Sequence, residues 1–410
     1  MNQINNREKG QVLVLLTVGI ITLLGFTALA IDGGRLYAER RTVQGVTDTS
    51  SLTGALYIAQ QLADGVDSGD IDAAEAAAYQ RAANNGYEPP VISVEIMEDT
   101  WFYYVRTTIH SSIPPTIAQI VFNGPLKVTA TSEARVPKYN VFALGQALFS
   151  ISKIDCPGID FGGNSDMVID GTGIFSSSEC DSSVLFHGDP NVDIDGTVSA
   201  VGEIEQVGSF SVISEGEHEE AAPYTIDKIN EPDCSDLPII NHDNAEPLQP
   251  GIYPNGIHLT GNASRNMEAG LYCLDAEFRV DSADSTLTGE GVTIFMREGG
   301  FHINGGTIRL TAPSDDLWLD GNEKAWNGML IFYAYDNYDT VAMNGTADSY
   351  FEGTIFNYND LCRINGTGSL ESYNTQVVCN TIELMGMIDV GITYIPEEEF
   401  IPPTKLDLME

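Results

Sequence analysis

"FEGTIFNYNDLCRINGTGSLESYNTQVVCNTIELMGMIDVGITYIP" occupies Phe351–Pro396. Short apolar runs, "GTIFNY" and "TQVVCNTIELM", alternate there with Asn-Gly and Gly corners. Gly reaches positive φ without steric cost and Asn tolerates it, so both suit tight turns. The phrase "RINGTG" at Arg363–Gly368 within it has counterparts upstream, as "VIDGTG" at Val168–Gly173, "DIDGTV" at Asp193–Val198, "HINGGT" at His302–Thr307 and "AMNGTA" at Ala342–Ala347. Gly305 to Gly345 is 40 residues, Gly345 to Gly366 is 21, and Gly366 to Gly386 is 20. A recurring interval in the 20s marks stacked repeats. The fold class that follows is mainly β, with a C-terminal right-handed parallel β-helix-like solenoid. It would have one turn per repeat and put Gly305, Gly345, Gly366 and Gly386 at equivalent corners. An antiparallel β-sandwich is the alternative, because Asn-Gly is also a hairpin signal. Fixed spacing favours the solenoid.

Composition narrows the function. The 410 residues carry 59 Asp+Glu against 19 Lys+Arg, a formal net charge of -40. Eight of the basic residues follow Cys156. Phosphate binding needs clustered Lys and Arg, so nucleic acid is excluded as a partner. The six cysteines, Cys156, Cys180, Cys234, Cys273, Cys362 and Cys379, form no CxxC pair. They fit disulfides in an oxidising compartment, with buried free thiols as the alternative. The acidic, Pro-rich stretch at 215–254 breaks the repeat and reads as an irregular insertion or lateral excursion. The end, "PEEEFIPPTKLDLME", reads as a loosely held tail.

The N-terminal part has a different character. "GQVLVLLTVGIITLLGFTALAIDGGRLYAERR" runs from Gly10 to Arg41, and Val12–Ile31 is 20 residues without a charge. At about 1.5 Å per residue this crosses a hydrocarbon core of roughly 30 Å. A cleaved secretory signal ending at Ala28-Leu29-Ala30 is the alternative. Beyond Asp32 the helical pattern continues through Leu36, Val43, Val46, Leu52, Leu56 and Ile58, with a kink expected near Gly33-Gly34. Arg40 and Arg41 would sit at headgroup level. "GDIDAAEAAAYQRAANNGY" predicts a second helix, capped by Asp70 or Asp72 and ended by Asn84-Asn85-Gly86. Strands are predicted over 91–96, 101–109 and 126–134 by period-2 alternation.

This N-terminal segment resembles the TadE/TadG-like module of bacterial Tad (Flp-type) pilus assembly. Gly10-Gln11, Ala30-Ile31-Asp32, Gly34-Arg35, Tyr37, Arg40-Arg41, Gln44, Asp48 and the small residues to Ala55 carry the resemblance. Relatives cut by prepilin peptidase have Glu five residues past the cleaved Gly. Leu15 stands there, so the segment is expected to stay as an anchor. The resemblance implies a membrane-anchored pilus-assembly or cell-surface structural protein, with other Tad components or surface molecules as partners. The last 120 or so residues are similar to the β-helical tails that follow such anchors.

The expected organisation is a transmembrane anchor and helical extension at 1–62, a small α+β module at 63–137, the β-helix-like domain at 138–395 and the tail at 396–410. One span without a second apolar run puts the C-terminal domain outside the cytoplasm. Arg35, Arg40 and Arg41 oppose this, but charge bias governs short loops more than long exported domains.

Candidate chemistry is sparse. "NVDIDG" at Asn191–Gly196 begins like a calcium loop but has Gly202 where Glu is required. Asn262, Asn344 and Asn365 sit in sequons read as turns. Asp193 with Asp195, or Asp315 with Asp316, could supply paired carboxylates. His187, His218, His242, His258 and His302 are dispersed, and Arg106 and His110 share one face of a predicted strand. Trp318, Trp326, Tyr333, Tyr335 and Tyr338 read as rung stacking or as a glycan platform. No catalytic, cofactor-binding or metal-ligating residue is assigned, no cofactor is expected, and the chain is expected not to be an enzyme. The alternative is an anchored β-helical protein that binds or degrades polysaccharide.

Overall fold

In the computed structural model the chain divides into two compact units, Met1–Asn140 with Pro403–Glu410, and Val141–Pro402. The structure describes all residues except 1–7, 64–69, 100–101, 121, 123, 139–141, 165, 244–245, 315–325, 345–347, 366–368, 387–388, 403–406 and 410.

The first unit is built on α1, Glu8–Ala63, a single helix of 56 residues that continues through Gly33-Gly34. The expected break there does not occur. Its first part is apolar and exposed on every side, whereas after Asp32 one stripe is buried, including Val43, Val46, Ala55 and Ile58. Helix α2, Ile71–Ala83, starts at Asp70, whose carboxylate accepts the Ala73 N–H at 3.0 Å. It buries Ala74, Ala78 and Ala82, the i, i+4 positions that permit close approach to α1. Strands β1, Ile92–Glu98, β2, Phe102–Ile113, and β3, Leu126–Pro137, form an antiparallel meander. The short strand Asp407–Met409 pairs antiparallel with β3, so the end of the chain returns to this unit rather than hanging loose.

The second unit is a parallel β-solenoid, which removes the sandwich alternative. Each turn lays down up to three short strands, one on each of three faces, A, B and C. Strand registers order the turns in space. Coil 1 is 251–267, coil 2 is 270–289, coil 3 is 292–311, coil 4 is 329–352, coil 5 is 354–374 and coil 6 is 377–393. Coil 7 is then 148–170, because Val377 pairs with Leu148, Ile382 with Ile159 and Val390 with Met167. Coils 8 and 9 are 174–194 and 197–213. The chain therefore enters the stack in its interior, winds to one end, crosses to the other end, and winds back to meet its own beginning.

One ladder on face B runs through all nine coils: Leu259, Val280, Ile303, Met343, Ile364, Leu384, Phe161, Phe186 and Gln206. Side chains alternate in and out with period 2, as in Asp166–Asp170, where Met167 and Ile169 are buried and Asp166 and Asp170 are exposed. Like residues stack inside. The Phe278–Phe301 centroids are 4.6 Å apart and those of Phe161–Phe186 4.8 Å, matching the inter-strand spacing. One continuous hydrophobic core runs through all nine coils.

Of the four glycines assigned to corners, Gly345 and Gly366 lie outside the described residues. Gly305 and Gly386 each follow a member of the face B ladder by two residues, and Gly305 has φ +156°. The same corner continues in coils 7 and 8 as Gly163, φ +111°, and Gly188, φ +92°.

The stretch 219–250 is the return crossing, not a lateral excursion. Face A strands such as Gly270–Leu274, Val292–Met296 and Met329–Tyr333 are buried on both sides. Their outward positions form a second apolar stripe, including Phe295, Phe332, Phe356, Phe149 and Phe175. Residues of the crossing pack along it. The Ala221 N–H donates to Ala200 O in coil 9, Tyr224 meets Phe149 edge-on at 6.0 Å, and Ile226 and Ile229 are buried. Cys234 is disulfide-bonded to Cys273 in coil 2, and Ile239 bridges to Ile252 in coil 1. We call this segment the strap. The other disulfides, Cys156–Cys180 and Cys362–Cys379, join neighbouring coils.

Candidate functional site

The positions that carry the family resemblance lie on α1, and the structure gives several of them a mechanical role. Asp32 follows the last residue of the uncharged run. Its Oδ1 accepts the Thr116 N–H at 2.7 Å, and its Oδ2 accepts those of Ile117 and Ala118 at 2.9 and 2.6 Å. Three charge-assisted hydrogen bonds on one carboxylate fix the loop between β2 and β3 against the helix. Arg35, one turn along, donates to Pro114 O at 3.1 Å and to the Thr116 hydroxyl. Glu39 Oε1 accepts from the Ser111 hydroxyl at 2.6 Å and the Tyr87 hydroxyl at 3.0 Å. Further along, Gln44 donates to Asp48 at 2.8 Å, an i, i+4 pair on the helix surface. Gly54 lies where a Cβ would press on Val105 and Ala74, so the small residues after Asp48 let β2 and α2 approach. Tyr37, Arg40 and Arg41 are exposed. Asp32, Arg35 and Glu39 thus clamp the folded module to the same helix that continues as the apolar segment.

That segment is the one helix among the described residues long and apolar enough to cross a membrane, and none of its most apolar window is buried. Residues 10–63 match the family model of Flp pilus-assembly, TadE/G-like proteins.

Residues 10–63 are a TadE/G-like domain.

The match ends where α1 ends, so the TadE/G-like domain is essentially this helix, and the β-solenoid lies beyond it. No curated protein matches the chain, and no solved structure does.

The other sequence candidates fall into place as packing or surface. Arg106 pairs with Glu133 across β2–β3 at 2.7 Å, and His110 Nδ1 meets the Thr129 hydroxyl at 2.9 Å. Asp193 at the end of coil 8 and Asp195 in the turn that follows are both exposed. Asp315, Asp316 and Trp318 lie outside the described residues. His258 and His302 stand on one outward ladder with Arg279 between them, and His187 Nε2 lies 3.0 Å from Asp160 Oδ1. Burial first, and then nearby Glu383, push the Asp160 carboxyl up, against the pull of His187. Among the described residues no group of three or more His, Cys, Asp or Glu could hold a metal ion. The Asn365 amide donates to Asn344, so these two sequon asparagines belong to a ladder between coils 4 and 5.

Among the aromatic candidates, Trp326 stacks on Phe400 at 5.5 Å and Tyr333 is fully buried. The Tyr335 hydroxyl accepts the Ile229 N–H at 3.0 Å and donates to Ile229 O at 3.2 Å, fastening the strap. Tyr338 alone of the described four is exposed, at 70%. A cleft beside coils 5–8, lined by Phe149, Lys153, Tyr224 and Tyr358 among others, measures about 260 Å³, slightly below the ~300–1,000 Å³ of ordinary ligand sites.

Sequence reasoning missed Glu399. It is 4% exposed, accepts from the Thr354 hydroxyl at 2.8 Å, and lies beside Phe400, which is also buried. Burial pushes its carboxyl up to about 8, with Glu398 and Glu352 adding to the rise against the Thr354 hydrogen bond. No local signal distinguishes it within the run "PEEEF".

Proposed function

We propose that the protein is a single-pass, membrane-anchored structural component of Flp-type pilus assembly or of the cell surface, TadG-like in role. It holds an acidic β-solenoid on the extracytoplasmic side and does no catalysis. The observation that carries the reading is the continuity of α1. One helix supplies both the TadE/G-like apolar segment and, through Asp32, Arg35 and Glu39, the attachment of the folded module. Three disulfides within the solenoid support an oxidising location. The excess of acid, with few basic residues to neutralise an anionic sugar, supports a structural role over polysaccharide degradation.

Every described cysteine is paired, so an introduced one is uniquely reactive. A Tyr338→Cys chain in spheroplasts of a Tad-bearing host should react with a membrane-impermeant maleimide before lysis. Labelling only after lysis would put the solenoid in the cytoplasm and remove the display role. Loss of pilus assembly on deletion of the chain, restored by the full chain but not by one lacking residues 10–63, tests the assembly role.

A further inference from the structure

We infer that the tip of the β2–β3 hairpin, carrying Ile120 and Phe122, inserts into the phospholipid interface beside α1 as a second contact with the membrane. This rests on the reading that α1 spans the bilayer. The path of the hairpin along the helix supports it. Ser51 on α1 donates to Ser132 O of β3, which lies opposite Thr107 of β2. Moving down α1 toward the apolar segment, Glu39 meets Ser111, Arg35 meets Pro114, and Asp32 meets residues 116–118. From Ser51 to Asp32 the helix descends about 28 Å at 1.5 Å per residue. The hairpin descends with it, and its loop, between Ile113 and Leu126, lies at the level where the uncharged run begins.

At that level the loop exposes apolar side chains. Ile120 is 76% exposed and Phe122 47% exposed. Its backbone is partly satisfied internally, with the Ile120 N–H donating to Ile117 O and the Phe122 N–H to Ala118 O, which lowers the cost of leaving water. Phe122 lies over Gly124, where a Cβ would crowd the ring. Exposed Arg35 holds the loop at Pro114 and Thr116 and exposed Lys127 opens β3 beside it, while exposed Arg40 and Arg41 lie about 12–14 Å from Asp32 along α1, in a chain with only 19 basic residues. Apolar side chains flanked by Arg35 and Lys127, with Arg40 and Arg41 further along the helix that continues as the span, fit an anionic phospholipid surface. The second contact would fix the rotation of the module about α1, which a lone helix leaves free.

The test uses the full chain in nanodiscs of phosphatidylcholine and phosphatidylglycerol. Single cysteines at Val18, Ile120, Phe122 and Tyr338 carry an environment-sensitive fluorophore. Labels at Ile120 and Phe122 should emit to the blue of the Tyr338 label and lose intensity to nitroxides near the lipid headgroups. The Val18 label should respond to nitroxides deep in the chains. If the Val18 label is lipid-quenched while those at Ile120 and Phe122 match Tyr338, the hairpin contact is overturned and the span stands. If the Val18 label is itself in water, the anchor reading fails. Blue-shifted tip labels untouched by lipid nitroxides would mean a protein covers the tip, which also overturns the inference.

Discussion

At the residue scale, two positions show how stacking changes what a side chain tolerates. Gly163 and Gly188 sit at one corner of adjacent coils, both at positive φ. A Cβ at Gly163 would collide with Gly386 O, and one at Gly188 with Gly163 O. Gly163→Val should cost more than about 1 kcal/mol from the backbone alone, with the collision added. A denaturation midpoint equal to that of the unaltered protein would count against this corner. Glu399 is the second case. Its folded pKa of about 8 lies above the ordinary 4.5. Below about pH 4.5 both states hold the proton, so the folded state has its full stability. Between 4.5 and 8 only the folded state holds it, and stability falls as pH rises, by up to about 1.4 kcal/mol per pH unit. Glu399→Gln should therefore melt higher than the parent at pH 7.5, with the difference shrinking toward pH 4.5. Thermal melts across that range decide it, and parallel curves would show that Glu399 ionises freely.

At the element scale, the strap shows why an irregular segment can be structural. It has neither the period of 2 nor that of 3.6, so its buried residues Ile226 and Ile229 look like chance apolar residues among acids and prolines. The signal that could have exposed it lies in its partners. "GLYCL", "VTIFM" and "MLIFY" are apolar at nearly every position, Thr293 being the polar exception, which is the mark of a strand covered on both faces. Fastening is local. The Tyr335 hydroxyl holds both the N–H and the C=O of Ile229, and Lys228 lies over the Tyr335 ring at 4.4 Å. Tyr335→Phe keeps the ring and removes both hydrogen bonds, so it should cost about 1–3 kcal/mol. Faster amide exchange at Ile229, with the core coils unchanged, would mark the loss as local. An unchanged Ile229 amide would mean the strap is held elsewhere. Asparagines add a second local device at the turns: Asn337 donates to Met296 O and Gly299 O, and Asn359 to Tyr335 O and Asn337 O.

At the scale of the whole solenoid, the order of coils in space is a rotation of their order in sequence. Coil 6 ends at Thr393, paired with Asp170 of coil 7, while coil 7 begins at Leu148, paired with Val377 of coil 6. Elsewhere, apart from the longer connection between coils 3 and 4, face C of one coil connects to face A of the next in a few residues, as from Met267 to Gly270. Joining residue 394 to residue 147 by a short linker, and opening the chain between Glu219 and Glu220, should preserve every strand pairing. The rearranged solenoid should fold with the same three disulfides and a similar melting temperature. It should also fold faster, because its contacts become local. Failure to form Cys156–Cys180 would show that coils 7–9 need their native point of entry.

The sequence by itself determined what its local patterns encode. Twenty uncharged residues ending at Ile31 mark the apolar helix, alternation marks β1–β3, Asp70 and the alanines after it mark α2, and the Asn-Gly spacing marks the coil. Each depends on neighbours a few residues apart, where periodicity and turn chemistry act. Only the tertiary structure decided that coil 7 stacks on coil 6, that 219–250 runs the length of the stack, and that Asp32 holds an amide cluster some 85 residues away. The reason is that every coil presents much the same apolar interior to its neighbours. Which coil meets which then depends on where the ends are covered, and no short window of sequence records that.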